Sequence, residues 1–285
     1  MRRQYFAQYL LNTGVLDIET VRQLLLKASK KKAQLPVLAM HQKNLTAAQI
    51  EPLQQLSAAK FTAAALEQGL LSKTQVRALQ EKAAEWDLRF AQAMIDKQSV
   101  SYAQLADLFA RYEKVVLSPL QEAVVQAAGE GIEKELGDYS EYVELFSYAF
   151  TRFMGVIPVV ELEKPAMPTP DTKRLHMVSQ RMSGDLGFVA GMIAYDDIFL
   201  ELSRHYSGED FSELSELAID GMEEFLNVVN GLFAVELAKR EVDIDLELPH
   251  TVRNSIPIGN LQLELRMDCA YGAFGLILSS DEFLS

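Results

Sequence analysis

The sequence predicts an α+β protein of two modules: an all-α helical-repeat domain over residues 1–118, and a layer domain of antiparallel sheet and long helices over 139–285. Residues 119–138 read as the linker between them. Three observations carry this. One pattern recurs four times in the first half. The sign of the charge changes near Ser118-Pro119. From Tyr139 onward the apolar period alternates between helix and strand.

Composition sets the outer limits. A chain of 285 residues with 49% hydrophobic and 24% charged residues has the balance of a globular protein of one or two domains, not of a disordered one. No apolar run approaches the roughly 20 residues that span a bilayer. The opening MRRQYFAQYLLNTG is basic but lacks a continuous apolar core, so no signal peptide is expected. Cys269 is the single cysteine and has no internal disulfide partner, which agrees with a cytoplasmic location. A net charge of −13 argues against non-specific nucleic-acid binding. That average hides a split: residues 1–118 hold 16 Lys+Arg against 10 Asp+Glu, whereas residues 119–285 hold 11 against 30.

The repeats are FAQYLLNTGVLDIETV (6–21), LPVLAMHQKNLTAAQI (35–50), FTAAALEQGLLSKTQV (61–76) and FAQAMIDKQSVSYAQL (90–105). Their turn positions are Gly14, Lys43, Gly69 and Gln98. Three residues after each stands Asp17, Thr46, Ser72 or Ser101, all good helix N-caps because a side-chain oxygen can accept a free N–H of the first turn. Val21, Ile50, Val76 and Leu105 follow as the first inward anchors. Each copy therefore reads as helix, tight turn, capped helix, with the apolar pairs buried against the next copy.

These repeats resemble the MshEN family, a module of secretion and pilus ATPases that binds cyclic di-GMP through an Arg-Leu-Gly opening. The corresponding triplets here are Tyr5-Phe6-Ala7, Gln34-Leu35-Pro36, Lys60-Phe61-Thr62 and Arg89-Phe90-Ala91. Only Arg89 keeps the arginine, and no copy keeps the glycine. Two phosphates need paired cations or converging N–H groups. Arg89 is thus the one candidate nucleotide-binding residue, and a helical scaffold or partner platform is the preferred reading.

In the second half, YSEYVELFSYAFTRFMG (139–155) has helical spacing and VIPVVELEKP (156–165) reads as a strand running into a proline-rich loop at 165–174. HMVSQRMSGDLGFVAGMIAYDD (176–197) reads as a hairpin turning at Ser183-Gly184-Asp185. A short helix, DIFLELSRHY, and a longer one from about Phe211 to Lys239 come next. Strand alternation then returns in 242–249, 259–268 and 272–280.

Within the longer helix lies DGMEEFLNVVNG (220–231). At about 100° per residue, Asp220, Glu224, Asn227 and Gly231 fall within about 60° of one another, and Met222, Phe225, Leu226, Val229, Leu232 and Phe233 fall opposite. Spacing alone leaves two readings, a solvated face or a rigidly held site. Gly231 costs a helix about 1 kcal/mol relative to Ala, a cost easier to understand if a partner approaches closely there.

The run D-x-x-x-E-x-x-N-x-x-x-G resembles the motif of the CheC/CheX/FliY family of chemotaxis phosphatases, with Pro249 downstream near the family spacing. The order of elements over 139–285 is most similar to CheX, and the single copy of the motif matches the CheX pattern. The resemblance implies hydrolysis of the aspartyl phosphate on a CheY-like receiver domain. It assigns Asn227 to positioning the water, as a neutral amide can, and Glu224 to gripping the receiver's lysine. Asp220 and Gly231 go to docking. It further implies that no cofactor is the protein's own, that the Mg²⁺ belongs to the receiver, and that the protein is a homodimer. The same fold also serves non-catalytic roles in the flagellar switch, so a receiver-binding adaptor is the alternative. His41, His176, His205 and His250 show no ligand spacing, and no metal site is expected.

Overall fold

The computed structural model describes residues 5–128, 132–162, 175–255 and 262–280. The chain divides into two units, Met1–Pro119 and Leu120–Ser285. Twelve α-helices and seven strands are present among the described residues, a mixed α+β architecture.

The first unit is wholly helical: α1 (Phe6–Asn12), α2 (Ile18–Lys30), α3 (Leu35–His41), α4 (Ala47–Ile50), α5 (Ala58–Glu67), α6 (Lys73–Glu81), α7 (Trp86–Asp96) and α8 (Tyr102–Tyr112). Gly14, Lys43, Gly69 and Gln98 all take left-handed backbone, with φ of 66, 57, 68 and 57°. The N–H of the residue after each reaches back to a carbonyl of the preceding helix, as Val15 to Leu10, Asn44 to Ala39, Leu70 to Ala65 and Ser99 to Met94. This satisfies carbonyls that a helix end otherwise leaves open. Asp17 accepts from the Thr20 N–H, while Thr46, Ser72 and Ser101 each form a reciprocal capping box with a glutamine three residues on. Val21, Ile50, Val76 and Leu105 are buried. The second helix of the second copy stops after one turn and tightens into a 3-10 turn at Glu51–Leu53, where Pro52 has no N–H to continue the ladder.

Asp87 on α7 accepts from the Phe6 N–H at 3.0 Å and the Tyr112 hydroxyl at 3.4 Å. Burial lifts its carboxyl from 3.8 to about 7 despite these donors. The folded unit therefore holds this proton more tightly than the unfolded chain does, so stability falls as pH rises from 3.8 to about 7 and is level above that. Asp87 keeps part of its surface in solvent, which makes the loss smaller than full burial would give. Urea unfolding of the first unit across this range should show the slope, and Asp87→Asn should flatten it.

Helix α9 (Pro119–Ala127) occupies the start of the stretch expected as a linker, and its Leu120, Ala123 and Val124 are buried. The second unit continues with α10 (Leu136–Met154), β1 (Val159–Glu161), β2 (Leu175–Gly184), β3 (Phe188–Tyr195), α11 (Asp196–Ser207), α12 (Glu216–Ala238), β4 (Ile244–Leu246), β5 (His250–Arg253), β6 (Gln262–Cys269) and β7 (Gly272–Ser279). The strands form one sheet in the order β1-β6-β7-β3-β2-β4, with β5 also pairing β2, and every pairing is antiparallel. The proline-rich loop expected at 165–174 lies outside the described residues.

Helices α10, α11 and α12 pack together against one face of the sheet. Phe146 meets Phe225 at 5.8 Å between ring centroids, Phe150 meets Phe274 at 5.1 Å, and Tyr142 meets Phe233 at 5.2 Å. Burying each such ring contributes about 1.5–3 kcal/mol. The described residues revise three expectations. The helix expected from about Phe211 starts at Glu216, because Ser215 caps it by accepting from the Ala218 N–H. Leu232, expected among the inward residues, is exposed, since it lies at the margin of the apolar arc. The strand expected over 242–249 is only three residues long, and β5, not foreseen, follows Pro249.

The hairpin from β2 to β3 turns at residues 185–187, just past the centre expected at Ser183-Gly184-Asp185, because Ser183 and Gly184 still pair with β4 as the end of β2. The φ of Gly184 is +121°, and a Cβ built there would lie 2.5 Å from the Asp243 carbonyl oxygen, where β4 joins β2. Gly184→Ala should lower the stability of this unit by roughly 2 kcal/mol or more. Gly187→Ala, whose new Cβ would sit 3.6 Å from its nearest neighbour, is the control in the same denaturant titration.

Candidate functional site

The site is built on the outward face of α12. Arg204 of α11 donates to the Phe211 carbonyl and so pins the connection leading into α12. The Ser215 cap then sets the helix's first turn, and Met222, Phe225, Leu226, Val229 and Phe233 fix its rotation by complete burial. A helix clamped in this way presents its opposite side chains with little freedom.

Asp220 and Glu224 are exposed and make no hydrogen bond or ion pair among the described residues. Two unpaired carboxylates one turn apart repel each other slightly, by a few tenths of a kcal/mol. Tyr206 of α11 packs on Phe225 with ring centroids 5.6 Å apart, and its hydroxyl pKa is raised by burial and by the nearby Glu224 carboxylate. The acidic end of the site is therefore walled by an aromatic ring. A Cβ added at Gly231 would meet nothing within 4 Å, so the space before it is open to an incoming molecule.

Asn227 is half-buried and held from beneath. Its Oδ1 accepts from Gln180 Nε2 at 2.8 Å, and the same Nε2 donates to the Glu247 carbonyl at 2.7 Å. Gln180 Oε1 accepts from Asn230 Nδ2 at 2.7 Å, and Asn230 Oδ1 accepts from the Tyr142 hydroxyl at 2.6 Å. Gln180, Asn230 and Tyr142 are 0% exposed. Burial pushes the Tyr142 hydroxyl pKa upward, so it stays a neutral donor. Each of these amide oxygens and nitrogens is paired except Asn227 Nδ2, which has no partner among the described residues.

The structure thus brings Asp220, Glu224, Asn227 and Gly231 onto one accessible face. It also adds four residues that the sequence reading did not single out: Gln180, Asn230, Tyr142 and Tyr206. Two of them carried a signal. Gln180 sits between Val178 and Met182 in strand alternation, and Asn230 is an amide one helical turn beyond Asn227. Amides in otherwise apolar core positions are normally hydrogen-bonded there, which makes them worth tracing.

Arg89 belongs to the other unit. Its Nε donates to the Lys31 carbonyl at 3.0 Å, its guanidinium carbon lies 3.9 Å from the Trp86 ring centroid, and burial lowers its pKa. Both contacts are structural ones within the repeats. His176 pairs with Asp196 at 2.7 Å, His205 stacks on Tyr271 at 4.1 Å between centroids, and Cys269 is buried. No group of three or more His, Cys, Asp or Glu that could hold a metal is found among the described residues. No described helix is long and apolar enough to cross a membrane.

No family model and no curated protein matches the chain significantly. Solved structures do match. The chemotaxis protein CheX from Vibrio vulnificus is 16% identical, with 48% of this chain and 92% of that one covered at a TM-score of 0.40. CheX in a complex with CheY, BeF3 and Mg²⁺ from Borrelia burgdorferi is 12% identical, with 50% and 96% covered at 0.41. FliY of Thermotoga maritima is 14% identical, with 54% and 92% covered at 0.40. The structural neighbours of this chain are CheX- and CheC-like chemotaxis proteins, and they extend over about half of it.

Proposed function

We propose that the second unit hydrolyses the aspartyl phosphate of a CheY-like receiver domain in chemotaxis or a related two-component pathway. The observation that carries this reading is the pairing on one helix face of an unpartnered carboxylate, Glu224, with an amide, Asn227, whose oxygen is tied inward and whose N–H groups are left over. Receiver phosphoaspartate comes with its own Mg²⁺ and lysine, so the phosphorus is already electrophilic. What it lacks is a held water. Asn227 supplies that position. The water oxygen bonds to phosphorus, the bond from phosphorus to the aspartate oxygen breaks, the aspartate leaves as carboxylate, and the water's protons go to the phosphate and solvent. Glu224 grips the receiver lysine, and Asp220 adds long-range attraction.

The surroundings suit a protein partner. Leu217 and Val235, 64% and 58% exposed, share the outward side of α12 with Glu224. Leu248, 89% exposed, follows Glu247, whose carbonyl holds Gln180 beneath Asn227. An acidic centre ringed by exposed apolar side chains is the anatomy of a docking face. We further assign the repeats a scaffold or partner-platform role, because the Arg89 guanidinium is already engaged; saturable uptake of cyclic di-GMP in equilibrium dialysis would reverse that. A dimeric mass in solution is expected.

The decisive test is the decay of phosphorylated receivers in Mg²⁺ with and without the full chain. Faster decay supports the phosphatase. Binding of a receiver without faster decay would make the face an adaptor.

A further inference from the structure

The polarity of the amide chain under Asn227 is fixed by one backbone atom. A carbonyl oxygen can only accept, so the Gln180 terminus that meets both Glu247 O and Asn227 must be its Nε2. Gln180 then turns its Oε1 to Asn230, which must answer with Nδ2 at 2.7 Å and so presents Oδ1 to the Tyr142 hydroxyl at 2.6 Å. At the other end, Asn227 has no choice but to offer Oδ1 inward. Reversing Asn227 would set its N–H₂ against the N–H₂ of Gln180. In an apolar surround such a clash of donors, with Gln180 Nε2 left short of a partner, costs about 1–3 kcal/mol.

The Glu247 carbonyl is available because the sheet edge is broken there. Strand β4 pairs with Met182–Gly184 of β2 and β5 with His176–Ser179, so Gln180 lies opposite the interruption. Pro249 closes that interruption, and its lack of an N–H is suited to a break in the ladder. The Glu247 N–H is taken by the Arg181 carbonyl at 3.0 Å, which holds the peptide in place while its own carbonyl turns to the Gln180 side chain.

We propose that Gln180 is a positioning residue for this site, aligned by the Glu247 carbonyl and the Asn230–Tyr142 pair, that fixes Asn227 with its N–H₂ group toward the reacting centre. The inference rests on the phosphatase reading and sharpens it. Asn227 acts on the water as a donor to the water oxygen, which occupies one lone pair and leaves the other to attack phosphorus. The water's protons then go to the phosphoryl group and to solvent, not to the inward-tied Asn227 oxygen.

The first test needs no substitution. In nitrogen-15 NMR of the full chain, the side-chain N–H₂ protons of Gln180 and Asn230 should exchange slowly with solvent and those of Asn227 quickly. Slow exchange of the Asn227 N–H₂ protons would mean that they face inward, the opposite polarity, and would overturn the proposal. The second test is Gln180→Met, which removes the amide and keeps the length. With an active wild type and a retained fold, kcat for receiver dephosphorylation should fall about tenfold, KM should hold, and the Asn227 side-chain resonances should shift. An unchanged kcat beside shifted resonances would sink the positioning role. If no receiver decays faster with wild type, the phosphatase reading falls and Gln180's catalytic role with it, while the exchange pattern still decides whether Asn227 is held in this polarity.

Discussion

On the phosphatase reading proposed above, Asn227→Ala should abolish the acceleration of receiver dephosphorylation and leave receiver binding nearly intact. The expected drop in kcat is about 10²-fold or more, the size seen when a single pre-aligned hydrogen-bonding group is removed from a reacting centre. KM should change little, because the side chain is half-buried and offers the receiver little area. Fold should also persist, since Gln180 Nε2 keeps the Glu247 carbonyl as a partner when the Asn227 oxygen goes. Single-turnover decay at saturating protein isolates the effect on the chemical step. An alanine variant with wild-type decay would remove Asn227 from the mechanism.

Glu224→Ala should produce the complementary pattern. Glu224 is exposed and has no ion-pair partner among the described residues, so its truncation should cost the fold little. In the proposed complex it would meet a receiver lysine as a desolvated charge pair, and truncating one member of such a pair costs about 2–5 kcal/mol. KM should therefore rise roughly thirtyfold or more, with a smaller change in kcat, and the wild-type advantage should shrink as salt is added. A titration of phosphorylated receiver at two ionic strengths reads both. If Glu224→Ala lowered kcat alone, the carboxylate would have to act on the reacting water instead.

Local chemistry was legible in the sequence; its long-range consequences were not. The four turns at Gly14, Lys43, Gly69 and Gln98 could be read because each is followed by a capping side chain three residues later, and all eight positions act over a few residues of chain. The outward stripe of α12 was legible for the same reason, as periodicity fixes which residues share a face. Leu232 was misplaced because it sits on the boundary of that arc, where a small rotation of the helix decides burial. The support of Asn227 escaped notice because its members lie far apart, at Tyr142, Gln180, Asn230 and Glu247, and one of them contributes only a backbone oxygen. No residue type signals that atom. Strand β5 was missed because Leu248-Pro249 ended the visible alternation, and only pairing with β2 shows that the edge resumes beyond it.

The interruption between β4 and β5 has a second effect, on self-association. These two short strands form the outer row beside β2, three and four residues long, with the exposed Asp245 and Glu247 along it. An uninterrupted outer strand would offer a free ladder to any other extended chain, including a misfolded copy of this one. Here the ladder changes strand within a few residues, at a proline, and is lined by charged side chains of both signs, Asp245, the Glu247 paired with Arg181, and Arg253. A chain attempting to extend the sheet from that side meets a discontinuous row of donors and acceptors. The break thus also protects a flank of the sheet from aggregation.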